Sequence, residues 1–237
     1  MFDKKRIAED FSAAAAEYDL HADLQQRVLH NLLDKIRSSI SPASHILDAG
    51  CGTGGLAKLL PKHSITQLDI AYNMCLSAKK YGNAINADVS ILPFANNSFD
   101  IVFSSLVLQW VADWQAALTE MQRVLKPGGV LAVATFGEGT LHELKESFAS
   151  IDEARNVSPF ISSDLFECET IVEYYPNLES IMVKLKAIGA RNKLSGRSKV
   201  LMTRNKMQKI EHYYKTHYGS SAGLPVTWEV LYFVKQI

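Results

Sequence analysis

The segment Ile46-Leu47-Asp48-Ala49-Gly50-Cys51-Gly52-Thr53-Gly54 constrains this chain more than any other. A short apolar strand, His45 to Ala49, runs into a turn with glycine at alternate positions. Without a Cβ, glycine lets the backbone bend sharply and approach a ligand at the carboxyl end of a strand. The spacing is D-x-G-x-G-x-G, not the G-x-G-x-x-G that seats a diphosphate on a helix N-terminus. An acid at the head of the run repels a diphosphate and suits a ligand that carries an ammonium group.

Around this turn, strand-like and helix-like segments alternate. Residues 4–19 and 22–40 read as helices, the second with Leu24, Val28, Leu29, Leu32, Leu33 and Ile36 at helical spacing. After the glycine turn come a helix over 56–60, a strand over 65–70, a helix over 73–80 and a strand over 84–87. A strand over 99–105, a helix over 114–124, the turn Lys126-Pro127-Gly128-Gly129 and a strand over 130–136 complete the series. Such alternation predicts a doubly wound, Rossmann-like α/β sheet, seven-stranded and mostly parallel, with a partly helical lid. Later segments are helix-like over 140–154, 177–188 and 204–217, with Thr203 as N-cap. Thr170 to Tyr175 is a further strand candidate, and Val226 to Val234 is rich in β-branched and aromatic residues. The expected organisation is one domain over 1–237: a helical cap (1–40), a cofactor-binding core (41–136), lid insertions (137–224) and a final strand (225–237).

Composition narrows the function classes. The 25 basic and 25 acidic residues cancel, which disfavours a nucleic-acid partner. Cys51, Cys75 and Cys168 are too few and too scattered for a disulfide framework or a zinc site, so no metal is expected. Their odd number, with no signal peptide at the start, predicts a cytoplasmic protein. No apolar run approaches the roughly 20 residues that cross a bilayer, so no membrane role is expected.

Acids at successive strand ends extend the site. Asp69 lies 21 positions after Asp48, near the ~20-residue spacing at which a carboxylate holds ribose hydroxyls in such folds. Asp88, with the Val89 amide beside it, suits an adenine amino group and ring nitrogen. Ser104 and Ser105 end the next strand at the same edge, and Ile70, Met74, Gly50, Cys51 and Gly52 are counted in the same pocket. Together with the leading acid, these residues read as a site for S-adenosylmethionine, whose amino acid tail is a zwitterion.

In order along the chain, the glycine run, Asp69, Asp88-Val89, the Phe99-Asp100-Ile101-Val102-Phe103-Ser104 strand and the Arg123-Val124-Leu125-Lys126-Pro127-Gly128-Gly129 turn resemble class I methyltransferases over about residues 45–136. Further pieces resemble the malonyl-(acyl carrier protein) O-methyltransferases of biotin synthesis. They include Phe11 to Gln25, Leu106-Val107-Leu108-Gln109-Trp110, Leu185 to Ala190, Gly196-Arg197, Leu201 to Arg204 and Val226 to Val230. The resemblance implies methyl transfer from S-adenosylmethionine to the free carboxylate of a malonyl group, with S-adenosylhomocysteine as product. The methyl ester would start pimeloyl synthesis for biotin. It also implies that Tyr18 touches the methionine carboxylate or lines the acceptor channel. Quinone and trans-aconitate methyltransferases share the first piece and Gln109-Trp110. A free carboxylic acid or a quinone precursor is therefore the alternative acceptor.

Charge supports a carrier protein independently. Between Ser180 and Ile210 stand nine basic residues and no acid, which leaves the rest of the chain at −9. A neutral protein that concentrates charge so strongly has a docking face for an acidic partner, here an acyl carrier protein, with malonyl-CoA as a substitute. Lys184, Lys186, Arg191, Lys193 and Arg204 are the expected docking residues. Arg197, after the flexible Gly196, is the expected anchor for the malonyl carboxylate, because a planar guanidinium fixes a carboxylate's orientation. Gln109 is expected to donate to that carboxylate, while Trp110 and His21 are expected to be packing residues.

Overall fold

The computed structural model describes residues 3–151, 166–188 and 203–237. Strands β1 (His45–Ala49), β2 (Ser64–Asp69), β3 (Ala84–Asn86), β4 (Phe99–Ser105), β5 (Leu125–Phe136), β6 (Glu167–Tyr175) and β7 (Leu224–Gln236) form one seven-stranded sheet in the order β3-β2-β1-β4-β5-β7-β6. The first five are parallel neighbours, whereas β7 runs antiparallel to both β5 and β6.

Two apolar cores sandwich this sheet, because alternate residues of each strand face opposite sides. On one face Ile46, Ile101, Phe103 and Ala134 meet Val28, Leu32, Leu33 and Ile36 of α3 (Asp23–Ile36). The same core includes Leu144 and Phe148 of α7 (His142–Ala149), Leu178, Ile181 and Leu185 of α8 (Leu178–Ala187) and Ile210 and Tyr214 of α9 (Arg204–Tyr218). On the other face Leu47, Val102, Leu131 and Val133 meet Ala117, Met121 and Val124 of α6 (Trp114–Val124). Tyr214 shows how a polar tip is accommodated: it is fully buried and its hydroxyl donates to the Pro225 carbonyl at 2.6 Å.

One expectation needs correction. The helix expected over 4–19 is broken into α1 (Lys4–Ala14) and α2 (Tyr18–His21). Ala13 to Ala16 have the highest helix propensity, so no local signal marks the break. Tertiary contacts accompany it: Asn73 Nδ2 donates to the Ser12 carbonyl at 3.1 Å, and Ala15 is buried against Ala71 and Met74. The strand candidate Thr170 to Tyr175 is observed as β6, a nine-residue edge strand paired along its length with β7, which completes the expected seven strands. The expected helix over 140–154 is observed as His142–Ala149, and its last residues lie outside the described ones.

Because the strand order reverses between β1 and β4, the loops leaving their carboxyl ends diverge and open a crevice. The glycine turn lies there, followed by α4 (Gly55–Leu59), and α5 (Tyr72–Ala78) follows β2.

Candidate active site

Every strand end at this crevice delivers one element of a cleft. The turn after β1 holds Gly50, Gly52 and Gly54 at φ of 90°, 53° and 89°. Gly50 and Cys51 both donate their N–H groups to the Leu68 carbonyl (2.7 and 2.9 Å), which ties the turn to β2. A Cβ on Gly50 would lie 2.1 Å from Val107 Cγ2, whereas one on Gly52 would meet nothing within 4 Å. The turn is thus packed on one side and open to the cleft on the other.

Asp69 lines the cleft at the end of β2. Its Oδ2 accepts from the Gly52 N–H (2.9 Å) and its Oδ1 from the Ala71 N–H (2.8 Å). Burial raises its pKa, and those two N–H groups work in the opposite direction. Asp48, at 3% exposure, sits below the turn with its Oδ2 unpartnered. Burial, and then the charge of Asp69, pushes its pKa up to about 8. Ile70 and Met74 line the same wall beside Asp69.

Asp88 and Val89 line the far end of the cleft. Asp88 Oδ1 accepts from the Ser90 N–H (2.8 Å) and Oδ2 pairs with Lys4 Nζ (2.6 Å). Burial alone would raise the Asp88 pKa, but Lys4 and Ser90 outweigh it and hold it below its ordinary value. Over the cleft passes the N-terminal segment, which contributes Lys4, Ile7, Phe11 and Tyr18. Burial first, then the neighbouring charges of Asp69 and Asp19, raise the Tyr18 pKa, so its phenol keeps its proton at neutral pH. Opposite, Ser105, Leu106, Val107, Trp110 and Val111 follow β4. Leu106 adopts φ of 57°, a left-handed conformation unusual for a bulky residue.

Sequence reasoning assigned Gln109 and Ser104 differently. Gln109 is not on the cleft: it is 4% exposed, its Nε2 donates to the Leu106 carbonyl (2.7 Å) and its Oε1 accepts from Thr135 Oγ1 (2.9 Å). It braces the strained Leu106 loop, and neither amide atom is directed at an acceptor. Ser104 is fully buried and donates to the Ala49 carbonyl (2.8 Å), joining β4 to β1 beneath the cleft. Its neighbour Ser105 is the one on the wall. Cys51 is buried behind the turn and is not a wall residue. Trp110, read as packing, faces the cleft and meets Phe11 edge-to-face at 5.6 Å. Ile7 and Phe11 were missed, although Lys4, Ile7 and Phe11 stand at helical spacing on one face of α1.

The docking residues divide as well. Lys184 is ion-paired with Asp23 of α3 at 3.0 Å, so its charge is partly spent within the fold. Lys186 and Arg204 are exposed. Arg191, Lys193 and Arg197 lie outside the described residues. Among the described residues no helix is long and apolar enough to cross a membrane.

A crevice with an unpartnered buried acid under an open glycine turn, and two further carboxylates along one wall, fits a zwitterionic nucleoside ligand. Residues 47–133 match the methyltransferase domain family, and relatives 34–36% identical over 97% of the chain make this protein a methyltransferase. Solved structures agree on the fold, among them the YcgJ protein from Bacillus subtilis (TM-score 0.55, 16% identity, 86% of this chain and 96% of that chain). A SAM-dependent methyltransferase from Thermotoga maritima matches at TM-score 0.50 and 21% identity, over 94% of this chain and 98% of that one. The chain belongs to the malonyl-[acyl-carrier protein] O-methyltransferase family. Its relative in Laribacter hongkongensis is 36% identical over 97% of this chain and 88% of that protein, and the one in Dechloromonas aromatica 34% over 97% and 93%. The biotin biosynthesis bifunctional protein BioHC of Cellvibrio japonicus is 36% identical over 98% of this chain, which spans 50% of that longer protein.

The buried acid makes stability pH-dependent. Asp48 keeps its proton up to pH about 8 in the folded protein and releases it near 3.8 when exposed. Between those limits the folded state binds the extra proton, so stability falls as pH rises, by up to ~1.4 kcal/mol per pH unit for this group. Asp48→Asn removes the effect. In thermal melts of the ligand-free proteins, the variant's advantage over the parent should grow from pH 5 to pH 8. An advantage that is constant with pH would show Asp48 to be ionised throughout.

Proposed function

We propose that this enzyme transfers the methyl group of S-adenosylmethionine to the free carboxylate of a malonyl thioester on an acyl carrier protein. The product would be the methyl ester used to start pimeloyl synthesis for biotin. The observation that carries this reading is the likeness to malonyl-[acyl-carrier protein] O-methyltransferases over 97% of the chain, including the segments outside the cofactor core.

The cleft residues give each part of the ligand a partner. Asp69 would hold the ribose hydroxyls, Asp88 and the Val89 amide the adenine, and the Gly50–Gly52 turn over Asp48 the amino acid tail. Tyr18, which keeps its proton, would donate to the methionine carboxylate. When bound, S-adenosylmethionine supplies an electrophilic methyl on a sulfonium centre. A malonyl carboxylate is ionised at neutral pH, so its attack needs no general base. No histidine is among the described cleft residues. The chain's task is positioning and the exclusion of water, for which Phe11, Leu106, Val107, Trp110 and Val111 provide an apolar wall. Arg197 is the candidate anchor for the acceptor carboxylate, with Arg191 and Arg204 behind it. The basic stretch from Lys184 to Lys209 would dock an acidic carrier, and malonyl-CoA would be a poorer substitute.

The test is transfer of tritium from labelled S-adenosylmethionine to malonyl-carrier protein, malonyl-CoA, trans-aconitate and a quinone precursor. Malonyl-carrier protein is expected to be the best acceptor. Its rate should fall with added salt more steeply than that of malonyl-CoA, since screening shortens from about 10 Å at 0.1 M to about 3 Å at 1 M. Preference for trans-aconitate or the quinone precursor would overturn the reading. Equal salt dependence would remove the basic stretch from docking.

A further inference from the structure

Tyr18 hangs over the cleft on a helix that cannot hold itself. α2 has four residues, and Glu17 gives it no side-chain cap. An isolated turn of this length is unstable in water, and its one large aliphatic residue, Leu20, is 75% exposed. Besides contacts with α8, a 3.5 Å bond from Gln26 Nε2 to the Asp19 carbonyl, and Tyr18, whose ring packs against Ala15, Ala71 and Met74, α2 is tied down by the Asp19 side chain. Asp19 Oδ1 accepts from Thr53 Oγ1 at 2.5 Å, and Oδ2 accepts from Lys58 Nζ at 2.5 Å. Thr53 belongs to the glycine turn and is 7% exposed. Lys58 stands on α4, with its ammonium 5.1 Å from the centre of the Tyr81 ring. Burial would raise the Asp19 pKa, but the hydrogen bonds from Lys58 and Thr53 and the Lys58 charge hold it below its ordinary value.

We propose that Asp19 is a positioning residue for cofactor binding: its carboxylate pins α2 to the glycine turn through Thr53 and Lys58, and so holds Tyr18 over the cleft. The carboxylate spans the two parts of the site that are far apart in sequence, the N-terminal segment and the turn after β1. It is the ionised partner in both bonds, and such charge-assisted bonds are about twice as strong as neutral ones. The inference rests on the S-adenosylmethionine site and is independent of the identity of the acceptor.

Calorimetry with S-adenosylhomocysteine tests it without any acceptor. Asp19→Ala should weaken binding about tenfold or more, while the thermal midpoint of the ligand-free protein stays within a few degrees of the parent. Amide hydrogen exchange should quicken over residues 17–21 and not in β1 or β4. Asp19→Glu should recover part of the affinity. Lys58→Met should also weaken binding, and combining it with Asp19→Ala should cost no more than Asp19→Ala alone, because both break the same tie. Parental affinity in Asp19→Ala overturns the proposal, as does full additivity of the two substitutions. If Asp19→Ala does not fold, Lys58→Met and Asp19→Glu decide it: parental affinity together with unchanged exchange in Lys58→Met overturns it, and weakened binding with faster exchange over 17–21 supports it.

Discussion

Asp69→Ala is expected to lower affinity for S-adenosylmethionine by about 10- to 100-fold. Each carboxylate oxygen already accepts one backbone N–H, from Gly52 or Ala71, and keeps a second lone pair for a ligand hydroxyl on the cleft. Removing the group therefore does two things. It takes a charged acceptor from the ribose, worth ~1.5–3 kcal/mol. It also leaves the Gly52 N–H without its partner, which loosens the turn. Asp69→Asn keeps one acceptor oxygen and should lose less. Calorimetry with S-adenosylhomocysteine reads the effect, and unchanged affinity in a folded Asp69→Ala protein would remove Asp69 from the site.

Gly50 and Gly52, two residues apart, should fail in opposite ways. In Gly50→Ala the new Cβ would overlap Val107 Cγ2 at 2.1 Å, on a backbone with φ of 90° that side chains avoid. Overpacking costs ~1–3 kcal/mol and the conformation about 1–3 more. The thermal midpoint should drop by roughly 5–15 °C, and binding should fail with it because Val107 is itself a cleft residue. Gly52→Ala meets no atom within 4 Å. At φ of 53° it costs only about 1–2 kcal/mol of stability, yet its methyl enters the space reserved for the ligand. A Gly52→Ala protein that melts near the parent temperature but no longer binds S-adenosylhomocysteine is the expected outcome. Should it bind at parental strength, the ligand does not approach the turn there.

The parallel half of the sheet was legible because its central strands β1, β4 and β5 carry apolar residues on both faces and each strand ends in a turn with its own chemistry. The spacing of Asp69 from Asp48, and the place of Asp88 at the next strand end, singled out two acids that line the cleft, because strand ends at a reversal of sheet order converge. The failures share a cause. Gln109 and Ser104 are polar residues next to a site, and sequence cannot reveal that each satisfies a neighbouring backbone group. The break between α1 and α2 goes with contacts to Asn73 and Met74, which are remote in sequence from the alanine run. Trp110 was assigned to packing because a lone aromatic after a strand usually is. On the cleft it meets Phe11, which arrives from α1. Arg197 lies outside the described residues.

The placement of β7 between β5 and β6 imposes an order in time. Among the described residues β6 pairs only with β7, which follows it in the chain, with Tyr175 opposite Leu224. At ~5–20 residues per second of synthesis, β6 leaves the ribosome seconds before the strand that will hold it. During that wait it is an unpaired ribbon bearing Val172 and Tyr174, the kind of segment that adds itself to another chain's sheet. Glu167, Glu169 and Glu173 stand at alternate positions along it. In the finished protein Glu169 is matched to Arg27, Asn31 and Tyr232, and Glu173 to the Trp228 indole. Like charges set opposite one another disfavour strand pairing, so the acids that fasten this strand in the fold also oppose its pairing with a second nascent copy.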